Sequence, residues 1–184
     1  MMRVPLLYAA NTAILRTARL ELRPLVPDDA RHFSELLGGD PAAIAMLSHM
    51  PDPLTVPAAR EWIELRTGAG GHVFALRLLS NGAFVGTSGF GGPRDGVPGF
   101  GYWIGGPYRG LGLATEAGDA LVAHARRLGV RRMVAETFPG NAASERVLEK
   151  LGFEAEGQVE RVYPLRGGLR RLTLHSLAIS ELIA

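Results

Sequence analysis

The sequence predicts a mixed α/β fold of the α+β kind, built on a sheet of about seven strands. Three observations support this prediction. Two apolar runs are joined by Asn81-Gly82, a strong signal for a β-hairpin. A glycine-rich turn around residues 110–112 separates a strand-like run from an amphipathic helix. Near the C-terminus, two further strand-like runs form a closing antiparallel pair. With 184 residues and 47% hydrophobic content, the chain can bury one substantial core.

The N-terminal half is predicted to contain the first three strands and the helices between them. Residues 1–15 precede a single domain, residues 16–184. A strand over 17–25 turns Leu20 and Leu22 inward. Start and stop signals predict helices at 27–37 and 58–65, with a second helical region around 41–47. Strands at 73–79 and 84–90 form the Asn-Gly hairpin, and residues 93–98 are predicted to be a loop.

The C-terminal half alternates strands and helices before the closing pair. Strands are predicted at 100–104, 132–138, 153–160 and 172–179. A helix over 114–128 ends at Gly129, and a second begins after Asn141, a good N-cap, and ends at Gly152, which suits the left-handed position past a helix. The element order is β-α-α-β-β-β-α-β-α-β-β.

Composition excludes several classes of protein. The absence of cysteine excludes disulfides and a thiol nucleophile. The net charge is only +2, and no basic stripe with interleaved aromatic residues is present, so no nucleic-acid partner is expected. No apolar run approaches the ~20 residues of a membrane span. We therefore expect a cytoplasmic protein without a membrane partner or a metal.

The run from Arg109 to Ala114 predicts a phosphate-binding turn. Glycine lets the backbone approach a ligand, and the free N–H groups of the following helical turn favour negative charge. A P-loop is excluded because the only lysine, Lys150, lies far downstream. A dinucleotide fingerprint would need a small residue where Thr115 stands. The pattern Arg-x-x-Gly-x-Ala instead resembles the pyrophosphate-binding signature of the GNAT N-acetyltransferase superfamily; a turn that binds nothing remains the alternative.

A second motif supports this resemblance. Asn-x-x-Ser-x-x-Val-Leu-Glu-Lys-Leu-Gly-Phe, from Asn141 to Phe153, is similar to the second GNAT motif. Its form, and the Gly-Tyr-Trp-Ile run that begins at Gly101, resemble the branch that contains the ribosomal-protein N-terminal acetyltransferases. The motifs stand in the same order as in the family and cover residues 99–153.

The resemblance implies the GNAT fold, a mostly antiparallel sheet splayed at its centre and flanked by about four helices. It also implies acetyl-CoA as cosubstrate and a primary amine, either a protein N-terminus or a small molecule, as direct nucleophile. The backbone of the splayed strand would pair with the pantetheine arm and the turn would bind the pyrophosphate. The expected cofactor-binding residues are Tyr102, Trp103, Ile104, Arg109, Gly110, Leu111, Gly112, Leu113, Ala114, Asn141 and Ser144.

The proton-transfer groups depart from the family pattern. Many members have a tyrosine where Leu148 stands, which would protonate the leaving thiolate; Ser144 is the expected substitute, with a role in the helix cap as the alternative. Relatives often have an acidic residue where Gly99 stands. Glu136 is then the expected general base, although strand alternation leaves open whether it faces the site or solvent. Glu64 and His72 are weaker candidates.

The resemblance places the acceptor site beside the predicted helices between residues 41 and 65. Arginines of the 161–171 segment would border it and could attract a carboxylate. A protein α-amine titrates near ~7.7–8.0 and a lysine ε-amine near ~10.4, which favours an α-amine or another amine of low pKa. A non-catalytic acyl-CoA-binding or regulatory domain is the alternative function, because of Gly99 and Leu148. The sequence leaves the acyl chain length and the oligomeric state, a homodimer included, open.

Overall fold

The computed structural model describes residues 11–68, 71–94 and 96–180. The strands in this part of the chain are β1 (Leu15–Arg16), β2 (Leu20–Pro24), β3 (His72–Leu78), β4 (Phe84–Arg94), β5 (Val97–Ile104), β6 (Arg132–Thr137), β7 (Glu154–Tyr163) and β8 (Gly168–Ala178). The helices are α1 (Ala30–Leu37), α2 (Pro41–Ala45), α3 (Val56–Gly68), α4 (Leu113–Arg127) and α5 (Ala142–Lys150). The strands form one sheet in the order β1-β2-β3-β4-β5-β6-β8-β7.

The predicted fold class is confirmed, with small differences in count. The described residues form eight strands rather than about seven, because Leu15, the last residue of the predicted N-terminal extension, and Arg16 pair with Leu22 and Glu21. They also form five α-helices rather than about four. Residues 1–10 of that extension lie outside the described residues.

Two segments that the sequence places outside the predicted strands are largely strand. β4 and β5 extend into the predicted 93–98 loop, where Arg94 pairs with Val97. Likewise, β7 and β8 run through most of residues 161–171, with Arg161 opposite Arg170 and a short 3-10 turn at Pro164–Arg166. Glycine, proline and arginine weaken the sequence pattern of a strand, but pairing along a long hairpin supplies the backbone hydrogen bonds regardless of composition.

The sheet separates two apolar layers. The first core cluster lies beneath α4 and α5 and includes Leu20, Leu22 and Leu121, while the second lies beneath α1–α3 and is centred on Phe33 and Trp103. The predicted inward orientation of Leu20 and Leu22 is confirmed, since both are fully buried. None of the described helices is long and apolar enough to cross a membrane.

The sheet opens between β5 and β6. These two strands are parallel, and a single residue pair, Gly99 and Val134, joins them. Beyond that pair the two strands diverge toward their C-terminal ends, Ile104 and Thr137. The predicted splay at the centre of the sheet is confirmed, and it creates a gap that leads to the N-terminus of α4.

Candidate active site

A glycine turn precedes the N-terminus of α4. Gly110 and Gly112 have φ values of 76° and 77°, in the left-handed region that favours glycine. Gly112 is the N-cap residue of α4. Because glycine has no side chain, it makes no capping hydrogen bond to the first helical turn. The N–H groups of the first helical turn therefore remain available to an anion, as the sequence predicts.

An ionic network holds this turn against the first strands. Arg19 donates from Nη1 to the carbonyl of Leu111 at 2.8 Å and from Nε to Glu116 at 2.7 Å. The Glu116 carboxylate also accepts from the Thr17 hydroxyl at 2.5 Å and from the Arg19 backbone N–H at 2.8 Å. Burial opposes ionisation of Glu116, but the hydrogen bonds from Thr17 and Arg19 outweigh it and lower its pKa. The network fixes the direction of the Leu111 carbonyl.

Arg109 lies between the glycine turn and α2. Its Nε donates to the Ile104 carbonyl at 3.0 Å, and its Nη2 lies 2.6 Å from Oδ2 of Asp40. Asp40 is the N-cap of α2, where it accepts from the Ala43 N–H. That backbone hydrogen bond and Arg109 together hold the pKa of Asp40 below its ordinary value. Arg109 thus links the turn, the end of β5 and the start of α2.

A pair of hydroxyl groups spans the gap in the sheet. The Tyr102 hydroxyl on β5 lies 2.9 Å from Oγ of Ser144 on α5. The cap of α5 is provided by Asn141, whose Oδ1 accepts from the Ser144 backbone N–H at 3.2 Å. The Ser144 side chain is therefore turned toward Tyr102 rather than toward the helix backbone. At position 148, where the resemblance predicts a tyrosine acid, the chain has a leucine. Leu148 is only 2% exposed and belongs to the first core cluster.

Glu136 is buried beside the same gap. Its side chain is 2% exposed; Oε1 accepts from Arg161 Nε at 3.0 Å and Oε2 accepts from the Tyr163 hydroxyl at 2.5 Å. Both donors come from the β7–β8 hairpin, and the Tyr163 ring is also in edge contact with His49 at 5.0 Å between centroids. The register of β6 therefore turns Glu136 away from solvent and into an ion pair.

Two cavities meet at β5. A groove of about 540 Å³ runs from the glycine turn through the gap in the sheet, and a cavity of about 610 Å³ lies between the sheet and the α2–α3 segment. Both are lined by Tyr102 and Trp103. We call them the cofactor groove and the acceptor cavity. No aspartate or glutamate is present among the described residues that line the acceptor cavity, and Gly99 lies in its wall.

The tip of the β7–β8 hairpin contacts the segment that contains Ile44 and Met50. Arg166 Nη2 donates to the carbonyl groups of Ile44 at 2.7 Å and Met50 at 2.6 Å. Burial lowers the pKa of Arg166, whereas the charge of Asp52 raises it. Arg166 thus joins the hairpin to the end of α2. Internal acceptors bind the Arg161 and Arg166 side chains, and the expectation that the arginines of this segment attract a substrate carboxylate stays a prediction.

The structure brings nearly all the predicted site residues to one groove. The predicted residues that line it are Tyr102, Trp103, Ile104, Arg109, Gly110, Gly112, Leu113, Ala114, Glu136, Asn141 and Ser144. Leu111 does not line it, since its side chain is exposed and its carbonyl binds Arg19. No cluster of three or more potential metal ligands occurs in residues 11–68, 71–94 and 96–180.

Sequence reasoning missed the partners of these residues. The Tyr102 hydroxyl, the Asp40 carboxylate, and the Arg161 and Tyr163 side chains approach the site from elements far away in the chain. The tyrosine within Gly-Tyr-Trp is a visible sequence signal for the first of these contacts, although the resemblance implies a role for its backbone alone. The other contacts have no local sequence pattern.

Comparison with known proteins identifies the family. The family model described as "Acetyltransferase (GNAT) domain" matches residues 19–154, which is most of the chain. An L-methionine sulfoximine/L-methionine sulfone acetyltransferase from Pseudomonas aeruginosa (strain PAO1) is 44% identical over 54 residues, 29% of this chain and 31% of that protein. The match thus spans about a third of the length of that relative.

Solved structures agree on the fold. The ribosomal-protein-S5-alanine acetyltransferase from Vibrio fischeri superposes with a TM-score of 0.74 at 17% identity, over 91% of this chain and 97% of that chain. The microcin C7 self-immunity acetyltransferase MccE, solved in complex with acetyl-CoA and AMP, has a TM-score of 0.75 at 18% identity, over 89% of this chain and 94% of that chain. At these identities the likeness shows the fold alone.

Proposed function

Because the chain belongs to the GNAT acetyltransferase family, we propose that it transfers an acetyl group from acetyl-CoA to a primary amine by direct attack of the amine on the thioester. The observation that carries the proposal is the meeting of the cofactor groove and the acceptor cavity at Tyr102 and Trp103. Two cavities that meet at the same residues can hold two reactants next to each other. Such proximity is the main requirement of a direct transfer.

The glycine turn and α4 are proposed to bind the pyrophosphate of CoA. The left-handed Gly110 and Gly112 bring backbone to the ligand without a Cβ, and space is open at both positions except for Arg19, 3.6 Å from a Cβ on Gly112. The N–H groups of Leu113 and Ala114 begin the helix, where the dipole favours an anion. Arg109 supplies positive charge at the same turn, since its bonds to Ile104 and Asp40 leave further guanidinium donors.

The edge of β5 is proposed to bind the pantetheine arm. Beyond Gly99 the strand no longer pairs with β6, so the backbone of Tyr102–Ile104 faces the gap. Asn141 and Ser144 lie on the opposite side of the same groove. An extended amide chain in the gap would act as an added strand, and a backbone N–H there would also stabilise the oxyanion that forms on the thioester carbonyl.

Ser144 and Glu136 are the proposed proton-transfer groups contributed by α5 and β6. Ser144 Oγ lies in the gap, beside the proposed position of the leaving sulfur, and is directed away from the helix cap. Glu136 lines the cofactor groove, and no carboxylate among the described residues lines the acceptor cavity, so Glu136 would receive the amine proton through water. Arg161 and Tyr163 hold its carboxylate in one orientation.

The acceptor is proposed to be a small-molecule amine or a protein N-terminal amine. The acceptor cavity is within the ~300–1,000 Å³ range of small-molecule sites, and Trp62, Phe90 and Trp103 give it an aromatic wall. The partial match to an acetyltransferase of an amino-acid analogue supports the small-molecule choice. Localisation in the cytoplasm remains part of this proposal.

The test is thiol release from acetyl-CoA, screened against small α-amines, amino acids and peptide N-termini, with direct measurement of CoA binding to the same preparation. We expect saturable, amine-dependent release. CoA binding without turnover on any amine would instead support a non-catalytic acyl-CoA-binding domain, and absence of CoA binding would reject both functions.

A further inference from the structure

From the contact between the Tyr102 hydroxyl and Ser144 across the gap in the sheet, we infer that Tyr102 is the catalytic acid that protonates the departing CoA thiolate, an inference that rests on the proposed function. Leu148, the position at which many relatives carry their acid, is a core residue here. Tyr102 reaches the gap from the opposite wall, on β5. The proposed acid therefore lies on strand β5, which faces the helix that carries Leu148.

The geometry places the phenol where the thioester must lie. Tyr102 lines both the cofactor groove and the acceptor cavity, and Ser144, the partner of its hydroxyl group, lines the cofactor groove. Its hydroxyl is 2.9 Å from Ser144 Oγ, a hydrogen bond in which either oxygen can be the donor. Ser144 is therefore connected to the phenol, and the two hydroxyl groups act as one unit.

The environment keeps this phenol protonated. Tyr102 packs against the first core cluster, with the Phe100 ring 6.0 Å away between centroids. Burial raises the pKa of Tyr102, and the hydrogen bond from Ser144 only partly offsets this effect. A phenol with a pKa above about 10 is fully protonated at the pH at which an α-amine is neutral. It is also a far stronger acid than a serine hydroxyl, so Tyr102 rather than Ser144 is suited to meet the sulfur.

The proton balance of the step is complete. When the tetrahedral adduct collapses, the C–S bond breaks, its electron pair stays on sulfur, and the Tyr102 O–H gives its proton to that sulfur. The phenolate takes a proton from Ser144 Oγ. In the same concerted transfer Ser144 recovers one from a water in the groove, and Glu136 returns to that water the proton that it received from the attacking nitrogen. The net change moves one N–H proton of the neutral amine to the thiol, with no other reactant.

A structural latch is the competing role for the same contact. If the Tyr102–Ser144 bond only closes the gap before CoA enters, its loss would ease CoA binding and leave the chemical step unchanged. If Tyr102 is the acid, its loss slows the chemical step and leaves CoA affinity nearly unchanged. The two roles therefore predict opposite patterns in kcat and Kd.

The first experiment is a double-mutant cycle with Tyr102→Phe and Ser144→Ala, measured by single-turnover kinetics, CoA affinity and melting temperature. We expect Tyr102→Phe to slow the chemical step by roughly tenfold or more. The double variant should be at most about twofold slower than Tyr102→Phe alone, because the two residues act as one unit. An unchanged chemical step with tighter CoA binding in Tyr102→Phe would establish the latch and overturn the inference.

A second readout does not depend on any amine. The thiol of bound CoA is titrated by the ultraviolet absorbance of its thiolate, in wild-type protein and in Tyr102→Phe. A phenol donor beside the sulfur stabilises the thiolate, so the wild-type titration should lie about one pH unit lower, a tenfold shift. If no amine is acetylated, the proposed function fails while this shift still supports the contact with sulfur; identical titrations, or failure to bind CoA, overturn the inference.

Discussion

Glu136 shows how much the role of one side chain depends on its partners. The carboxylate is buried and accepts from Arg161 and Tyr163, two residues of one hairpin. A buried carboxylate held by fixed donors can serve as a base through water or can simply anchor the hairpin. The burial of Glu136 and its place in the cofactor groove are compatible with the proposed catalytic role, and kinetics can separate the two roles.

We predict that Glu136→Gln lowers kcat by roughly tenfold or more with little change in CoA affinity, because an amide cannot accept the amine proton. A stability loss of about 1–3 kcal/mol should accompany it, since one amide donor would face Arg161 or Tyr163. Steady-state kinetics over pH and thermal melts measure both effects. The control is Glu160→Gln, an exposed carboxylate in the same hairpin whose partner is Arg171. A destabilised variant with wild-type kcat would leave Glu136 with a structural role only.

Helix α4 carries two glycines in the same backbone conformation, one at each end. Gly112 precedes its first turn with φ 77°, and Gly129 follows its last turn with φ 80°. Only the first lies in the cofactor groove. The pair therefore separates the cost of backbone strain from the loss of a binding surface.

We predict that Gly112→Val lowers CoA affinity at least tenfold, about 1.4 kcal/mol, while the protein remains folded. A β-branched side chain is strained at positive φ, so the turn would distort where it should touch the pyrophosphate. Gly129→Val should lose comparable stability without losing affinity, because space around Gly129 is open and the site is distant. Calorimetric CoA titration of both variants is the measurement. Equal affinities would remove the glycine turn from the binding site.

Arg166 connects the β7–β8 hairpin to a segment that lines the acceptor cavity, because its partner Met50 is one of the lining residues. Its guanidinium satisfies carbonyl groups of Ile44 and Met50, and it thereby ties the β7–β8 hairpin to the end of α2. Arg170, in the same hairpin, is exposed. The contact links the last hairpin of the chain to the segment that covers the acceptor side.

We predict that Arg166→Ala raises KM for the amine severalfold and lowers stability by about 1–3 kcal/mol, because two carbonyl groups lose a charged donor. Affinity for CoA should change little, since Arg166 does not line the cofactor groove. Arg170→Ala is the matched control and should resemble wild type in all three measurements. A proportional loss of amine and CoA affinity would indicate general unfolding of the region instead.

At the scale of the whole molecule, the surroundings of two buried histidines, His124 and His175, favour the neutral imidazole. Burial lowers the pKa of His124, and the charges of His72 and Arg127 lower it further. Burial also lowers the pKa of His175, against an opposing effect of Glu145, and His175 Nε2 lies 3.0 Å from the Thr137 hydroxyl. Both pKa values are lower in the folded protein than the ~6.5 of an unfolded chain. Protonation therefore favours unfolding.

We predict that stability is at its full value above about pH 6.5 and falls as the pH drops below that value, through the folded pKa values of the two histidines. Melting temperatures from pH 8 to pH 5 measure the effect. His175→Gln, which retains a group able to bond to Thr137, should flatten part of the slope. His32→Gln, at an exposed position, should leave the slope as in wild type. A slope that neither buried histidine alters would assign the acid sensitivity to carboxylates.

Sequence reasoning was most successful where the cause is local. Left-handed glycines, an asparagine cap and alternating leucines each act over a few residues, so the glycine turn, the cap of α5 and the buried face of β2 could be predicted. The motif order then led to the GNAT family. The predicted strand limits were less accurate at residues 93–98 and 161–171, because pairing along long hairpins overrides a weak local preference.

The tertiary structure alone decided which side chains act together. Ser144 follows Tyr102 by 42 residues, and Arg166 is 122 residues from Ile44. Whether Glu136 faces solvent or the groove depends on how β6 pairs with β8, since a shift of one residue would reverse its side. These contacts arise from the packing of distant elements, whereas a sequence pattern records only the preferences of neighbours. The sequence by itself therefore determined the glycine turn and the family, and only the fold decided which side chains lie together.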